Sequence, residues 1–445
     1  MTETVARTAE EAGEKRYRAY VLFVLLLVYI FNFIDRQIIG ILAPLIKADL
    51  GLSDTQLGLM GGLAFALFYT GLGIPIAMLA DRYSRVKIIT IALAVWSAFT
   101  VVCGFAHNFW QLFLARVGVG VGEAGGVAPA YSLISDYFPQ SERGRAMAVF
   151  SFGIPIGSAA GILFGGLIAA YIDWRMAFIV VGLAGLLLAP LMWFTVKEPV
   201  RGRFDPPTAA RAKAPAIGEV LSTLTGKSSF WFISFGASAS SIMGYGLIFW
   251  LPSFFKRSYG PELETLARAV GFGDGVNLTL VGASLFFGTI IFFGGLLGIW
   301  MGGYLADKLG QAKKSAYALV PAAAFALAIP FFAAGVLAPT LTIAFFLFLL
   351  PQALSLVWLG PVLSSIQGLV APAMRATASA VFLFVNNLLG IGFGTFFLGF
   401  LSDTLIPRFG DDSLRYSILI GLSFYALAFL LFLLAARRLE KDWHR

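Results

Sequence analysis

The chain has 445 residues, of which 59% are hydrophobic and only 13% charged, with a formal net charge of +8. A soluble globular protein is typically about 45–50% apolar and about 25% charged, so this composition excludes one. A single cysteine, Cys103, also excludes an intramolecular disulfide and a multi-cysteine metal site, and no cofactor or metal is expected.

The N-terminal tail, residues 1–18, carries Glu3, Glu10, Glu11 and Glu14 ahead of the first apolar run. It lacks the short apolar core and small-residue cleavage site of a signal peptide, so the first apolar run is expected to remain as a helix. Apolar runs near the roughly 20 residues needed to cross a bilayer then recur. They are continuous, unlike the ~10-residue alternating strands of a membrane barrel. Spans 1 to 6 are expected at about 19–46, 56–80, 87–106, 109–135, 145–171 and 175–196. A polar linker, 197–228, separates them from spans 7 to 12 at about 229–255, 279–306, 315–337, 340–369, 376–402 and 414–437, and a tail, 438–445, closes the chain. The pattern predicts an all-α membrane protein of two six-helix bundles, 19–196 and 229–437.

With both termini cytoplasmic, inner segments carry 23 of the 32 Lys and Arg residues, outer segments seven and span interiors two. This is the positive-inside asymmetry. The basic charge therefore reads as a topology signal beside anionic lipid, with no nucleic-acid partner. The expected location is the cell membrane, multi-pass, as a monomer. Arg201, Arg203, Arg211 and Lys213 of the linker are expected at lipid headgroups, and the outer segment 256–278 as a loop over the outer mouth.

The halves repeat. Leu79-Ala80-Asp81-Arg82-Tyr83-Ser84-Arg85 after span 2 matches Leu305-Ala306-Asp307-Lys308-Leu309-Gly310 after span 8. Arg143-Gly-Arg-Ala-Met-Ala-Val-Phe150 opening span 5 matches Arg375-Ala-Thr-Ala-Ser-Ala-Val-Phe382 opening span 11. Two parallel repeats with matched inner loops point to alternating access about a central cleft. By this symmetry Asp81, followed in the motif by Arg82, should face Arg375, and Asp307 should face Arg143 and Arg145. With Arg85, these residues form the expected cytoplasmic gate.

On these motifs the chain resembles the major facilitator superfamily over essentially its full length. The loop after span 2 resembles that superfamily's motif A (Gly-x-Leu-x-Asp-Arg-x-Gly-Arg-Arg/Lys), with Ala77 and Ser84 in place of its two glycines. Asp173-Trp174-Arg175 before span 6 and Lys197-Glu198-Pro199 after it are similar to further superfamily signatures. Within it, Asn32-Phe-Ile-Asp35-Arg36 and Arg116-Val-Gly-Val-Gly-Val-Gly-Glu123-Ala resemble the Spinster-like group of sphingolipid and lysolipid transporters. That resemblance implies proton coupling and substrate handling for Asp35, Arg36 and Glu123, and a cavity lined by spans 1 and 4.

Four charged residues lie deep in the predicted spans: Asp35 and Arg36 in span 1, Arg116 and Glu123 in span 4. A charge at the bilayer centre costs roughly 2.5–3.5 kcal/mol on insertion scales, so such residues face a cavity or pair with one another. At a rise of about 1.5 Å per residue, Asp35 and Arg116 share a depth in the outer half, with Glu123 two turns below Arg116. Neither histidine, His107 or His444, is in a span. The proton carriers are therefore expected to be Asp35 and Glu123. Their proton affinity should respond to the cavity, since burial favours a neutral carboxyl and a nearby arginine a charged one. Arg36 and Arg116 stay protonated and serve as charge partners or anion receptors.

The C-terminal half offers polar and aromatic cavity candidates instead: Tyr245, Trp358, Phe384, Asn386 and Asn387, with Ser238, Ser241, Trp250 and Ser364. One ionic and one mostly apolar wall suit an amphipathic substrate with an anionic or zwitterionic head, such as the lysophospholipids and sphingoid phosphates of the Spinster-like group. Small organic anions or drugs are the alternative substrates. A receptor is disfavoured by the repeated gate motifs, a scramblase by the buried acids, and an enzyme by the lack of a catalytic triad or metal cluster. The Gly118-x-Gly120-x-Gly122 run follows no strand, so it reads as close helix packing and not as a nucleotide loop. Gly153, Gly157, Gly161 and Gly165, one face of span 5, read the same way. Asn277-Leu278-Thr279 abuts a span and is discounted as a glycosylation acceptor.

Overall fold

A computed structural model describes the backbone of residues 2–204, 217–310, 313–371 and 374–443, and their side chains except those of 2–12, 140, 217, 307 and 376. The described residues are almost entirely helical. Ten helices are long and apolar enough to cross a membrane. The tenth, Thr377–Asp442, contains predicted spans 11 and 12. The chain reverses there at Gly410, whose φ of 54° suits glycine. On the two arms Ser402 Oγ lies 3.2 Å from Ser413 Oγ, and Ser417 Oγ donates to the Leu398 carbonyl at 2.6 Å. Predicted span 4 is not among the ten because it is two shorter helices, Phe109–Glu123 and Val127–Tyr137. All twelve predicted segments are thus helical.

Boundaries differ where the chain leaves the apolar zone. Span 1 belongs to a helix from Thr2 to Leu50. Span 7 runs from Ser228 to Ala269, so residues 256–269 are helix and not the expected loop. Its kink at Tyr259 lies two residues before Pro261, whose missing N–H and ring break the helical ladder. The linker includes a short helix, Ile217–Thr225, with Val220 and Leu224 fully buried. Arg201 and Arg203 are held by protein. Arg201 donates to the Ala80 and Tyr83 carbonyls at the end of span 2, and Arg203 pairs with Glu14 at 2.7 Å. Arg211 and Lys213 lie outside the described residues.

Glycines set how closely the spans approach. A Cβ on Gly153, Gly157, Gly161 or Gly165 would meet Tyr29, Ile30, Ile34 or Ile38, so this face of span 5 lies directly on span 1. Gly118 and Gly122 press on span 3, and Gly120 on Phe65 of span 2. We call the side bearing residues 81–86 inner, following the Lys and Arg distribution. On the outer side the two halves are packed together. A Cβ on Gly58 or Gly62 would strike Thr395, and one on Gly399 would strike the Asp54 backbone. Across the second seam, between spans 5 and 8, the Asn277 N–H donates to the Ala170 carbonyl at 3.1 Å.

Candidate functional site

Span 4 breaks at Ala124-Gly125-Gly126, where consecutive glycines favour a turn over helix. Glu123, the last residue of Phe109–Glu123, is fully buried at this break. A carboxylate gains nothing from a helix C-terminus, which is the negative end of the dipole, so its partners must come from elsewhere. Span 1 supplies them. Asn32 and Arg36 are one turn apart on one face. Asn32 Nδ2 donates to Glu123 Oε2 at 2.8 Å, and Arg36 Nε to the same oxygen at 2.7 Å.

The pairing is therefore Arg36 with Glu123, at one level. Arg116 Nη1 donates to the main-chain oxygen of Asp35 at 3.3 Å. Asp35 is 1% exposed, and its side chain forms no ion pair among the described residues. Aromatic rings surround the arginines. The Arg36 guanidinium lies 4.5 Å from the Tyr69 ring centre, 4.9 Å from Phe65 and 5.2 Å from Phe33, and Arg116 lies 5.8 Å from Phe65. Such stacking offsets part of the cost of taking a guanidinium out of water.

A cavity of about 30 Å³ lies where these groups meet the other half. Arg36, Gln37, Phe65 and Arg116 line it from the N-terminal half, and Tyr245 and Thr395 are among its residues from spans 7 and 11. Its volume admits about two waters, not a lipid head. The arginines front the cavity, while Asp35 and Glu123 sit behind them in the N-terminal core. Of the four span charges, the two arginines thus line the cavity and the two acids do not. Span 2 carries a π turn, Leu59–Leu63, whose Gly61 also lines the cavity. There Gly61 meets the Phe249 ring, and Gly62 meets Thr395 and Ile391.

The C-terminal candidates divide. Tyr245 reaches the cavity. Phe384 and Asn387 precede the cavity residue Ile391 by seven and four positions, so they share its face of span 11 farther inward, where Phe384 is exposed and Asn387 half-buried. Asn386 points elsewhere: it is buried and accepts from Ser241 at 2.9 Å, binding span 7 to span 11. Ser238 bonds locally to the Ser234 carbonyl, Trp250 donates across to the Thr395 carbonyl of span 11, and Ser364 is exposed. Trp358 is buried, with its ring 6.4 Å from Phe382.

At the inner end Asp81, Arg82, Arg145 and Arg375 are exposed. Among the described residues Asp81 forms no ion pair with Arg375, which donates instead to the Gln367 carbonyl at 3.1 Å. Arg143 donates to the Ser135 carbonyl at 2.6 Å, and the Asp307 side chain lies outside the described residues. Arg85 corrects the expected gate, being buried within the N-terminal half. It pairs with Asp136 at the inner end of span 4 and with Glu198 after span 6, at 2.7 Å for the latter. Glu198 also accepts from Ser84 Oγ at 2.9 Å and the Val86 N–H at 3.0 Å. Burial raises its proton affinity, but the Val86 N–H, Arg85 and Ser84 outweigh burial, so its carboxyl titrates below the usual range. This cluster clamps the loop after span 2 to spans 4 and 6, and does not join the halves.

The sequence profile described as Major Facilitator Superfamily matches residues 25–395. An MFS-type efflux pump of Mycolicibacterium smegmatis is 30% identical over 98% of this chain and 96% of its own length. Protein spinster homolog 1 of Bos taurus is 30% identical over 96% of this chain and 82% of its own. Among solved structures, a bacterial homolog of the human lysosomal transporter Spinster, inward-facing and unoccupied, superposes with a TM-score of 0.82 at 31% identity, covering 96% of this chain and 99% of the other.

Proposed function

From a chain that belongs to the major facilitator superfamily and is a transporter of Spinster type, we propose proton-coupled secondary active transport by alternating access. The substrate is an amphipathic lipid with an anionic or zwitterionic head, a lysophospholipid or sphingoid phosphate. The observation that carries this reading is the buried Arg36–Glu123 pair, 2.7 Å long, with its arginine fronting the cavity between the halves and its acid behind. A protonated Glu123 would release Arg36 to an anionic head, and a deprotonated one would reclaim it. The Glu123 carboxylate and the substrate head then compete for one guanidinium, so protonation and substrate binding favour each other, which is the linkage a proton-coupled carrier requires.

Asp35 is the second proton carrier, with Arg116 beside it. Tyr245, Phe384 and Asn387 are the C-terminal contacts for substrate. The cytoplasmic gate forms when Asp81 meets Arg375, and when Asp307 meets Arg143 and Arg145. Both termini are cytoplasmic in the cell membrane. The test is flux of single-chain lipids in liposomes with an imposed pH gradient. Flux should follow the gradient in the wild type and be lost in Glu123→Gln. Undiminished gradient-driven flux in an Asp35→Asn/Glu123→Gln double variant would overturn proton coupling. For the gate, Asp81→Asn should raise the inward-open fraction in spin-label distances between the inner ends of spans 2 and 11; unchanged distances would refute it.

A second reading, transport of small organic anions or drugs, draws support from the likeness to the mycobacterial efflux pump. Affinity independent of chain length would favour it.

A further inference from the structure

The outer seam is tied by two carboxylates. Asp403 of span 11 caps the start of span 2, accepting from the Asp54 N–H at 3.1 Å, the Thr55 N–H at 2.7 Å and Thr55 Oγ1 at 2.6 Å. Asp54 is fully buried and gathers three further spans. Lys47 of span 1 donates to it at 2.6 Å, Arg257 of span 7 at 2.8 and 2.9 Å, and Ser402 of span 11 at 2.8 Å. Separating the halves on this side must break the Arg257, Ser402 and Asp403 bonds.

Directly outside lies a cavity of about 410 Å³, lined by Lys47, Ser253, Lys256, Arg257, Asp411 and Ser413 among others. Three cations face it. Lys47 and Arg257 are shared with Asp54, but Lys256 has no carboxylate partner among the described residues. Arg257 uses only Nη2 toward Asp54, so its Nε and Nη1 donors remain for another acceptor. Asp411 is the acid on the rim.

We propose that this outer cavity is an anion site for a phosphate group, held by Lys256 and Arg257, and that filling it favours opening of the outer seam. The argument follows from which half owns each charge. Lys47 and Asp54 both belong to the N-terminal half and stay paired when the halves part. Lys256 and Arg257 belong to the C-terminal half, and parting leaves these adjacent cations without Asp54. A doubly charged phosphate supplies the missing acceptor, and Arg257 offers it a planar fork. The ligand therefore binds the parted state more tightly than the sealed one, and by linkage shifts the population toward it. A phosphate-bearing molecule on the outside would thus prepare its own entry, or hold the exit open after release.

This inference rests on alternating access only for its second clause, so two measurements separate the parts. Calorimetry on the purified full chain should show that Lys256→Gln weakens binding of inorganic phosphate, or of a lysolipid phosphate, by at least about tenfold, while Lys256→Arg retains it. Response to inorganic phosphate identifies the free anion as sufficient, and response to the lysolipid alone shows that the tail is also required. Equal affinity of wild type and Lys256→Gln for both ligands overturns the site. Spin labels at residues 50 and 404, with Cys103 replaced by Ala, should show a longer outer distance on adding the ligand that binds. An unchanged or shorter distance at saturation overturns the coupling and leaves the affinity result standing.

Discussion

The two six-helix halves share a plan but not their chemistry. Among the described residues every buried charged side chain belongs to the N-terminal half: Asp35, Asp54, Arg85, Arg116, Glu123 and Asp136. The C-terminal half buries only neutral polar groups, such as Ser241, Gln352, Asn386 and Thr395, and stacks aromatic rings, as where Tyr425 lies between Phe325 and Phe332. Buried ions need partners and are costly to strand, whereas an aromatic core is tolerant of protonation state. The difference puts the acids buried within the spans, Asp35 and Glu123, in spans 1 and 4, so the proposed pH response is expected to originate there. Arg36 and Arg116, met across the cavity by Tyr245 and Thr395, are where the two chemistries touch.

The largest effect should come from stranding a buried ion. Arg36→Ala leaves Glu123 with only Asn32 beside it, and removing one partner of a buried pair costs about 3–5 kcal/mol. Thermal unfolding in detergent should fall sharply at neutral pH and recover in acid or with Glu123→Gln added. An Arg36→Ala protein as stable as wild type would show that the pair has no energetic role. Next in size is transport. Asp35→Asn and Glu123→Gln keep shape while removing charge, and each should cut gradient-driven flux by at least about tenfold, or 1.4 kcal/mol. The equivalent loss from Asn386→Ala would erase the contrast between the halves.

The contrast is sharpened by a pair of variants that separate head from tail. Arg116→Ala should weaken all anionic single-chain lipids by a similar factor, whatever their length. Phe384→Ala should instead reduce the gain per added methylene, which is about 0.8 kcal/mol for full burial. Binding of a homologous series to both proteins checks this. Parallel plots for wild type and Phe384→Ala would remove Phe384 from the tail site.

Hydropathy located every span because the bilayer admits few alternatives to a long apolar helix. The four charges were legible for the same reason, being rare where they stand. Their pairing was not. Depth along two helices put Asp35 beside Arg116, and only the rotation of span 1 decides that Arg36 reaches Glu123 while Asp35 contributes its carbonyl. Asn32 lies one turn from Arg36, but a neutral amide in a span carries no charge to mark it as a partner of Glu123. Asp54 and Asp403 were missed because they lie at predicted span ends, where an acid reads as ordinary loop polarity. The Ser53-x-x-Gln56 capping box marked the helix start beside Asp54, but no local signal announced a partner 349 residues away. Residue type alone singles out Trp358 and Asn386, and packing buries both.

The smallest expected effect tests whether the Arg85 cluster belongs to the gate or to the N-terminal fold. Glu198 holds the loop after span 2 through Arg85, Ser84 and the Val86 N–H, and its carboxyl titrates below the usual range. A group with a lowered folded pKa stabilises fully above its unfolded value and loses that contribution as pH falls through the folded one. Glu198→Gln should therefore lower stability by about 1 kcal/mol at neutral pH, since the site is partly open to solvent. The deficit should begin to shrink as pH falls below about 4.3, where the carboxylate protonates in the unfolded chain, and should vanish once the folded carboxyl is protonated at lower pH. A gate residue would behave differently. Its loss would change inner-side distances between the halves and leave the N-terminal bundle intact. Unfolding midpoints across pH and spin-label distances across the inner seam, measured on this one variant, distinguish the two. A change in stability with unchanged distances assigns the cluster to the fold of the N-terminal half; the reverse would restore Arg85 to the gate.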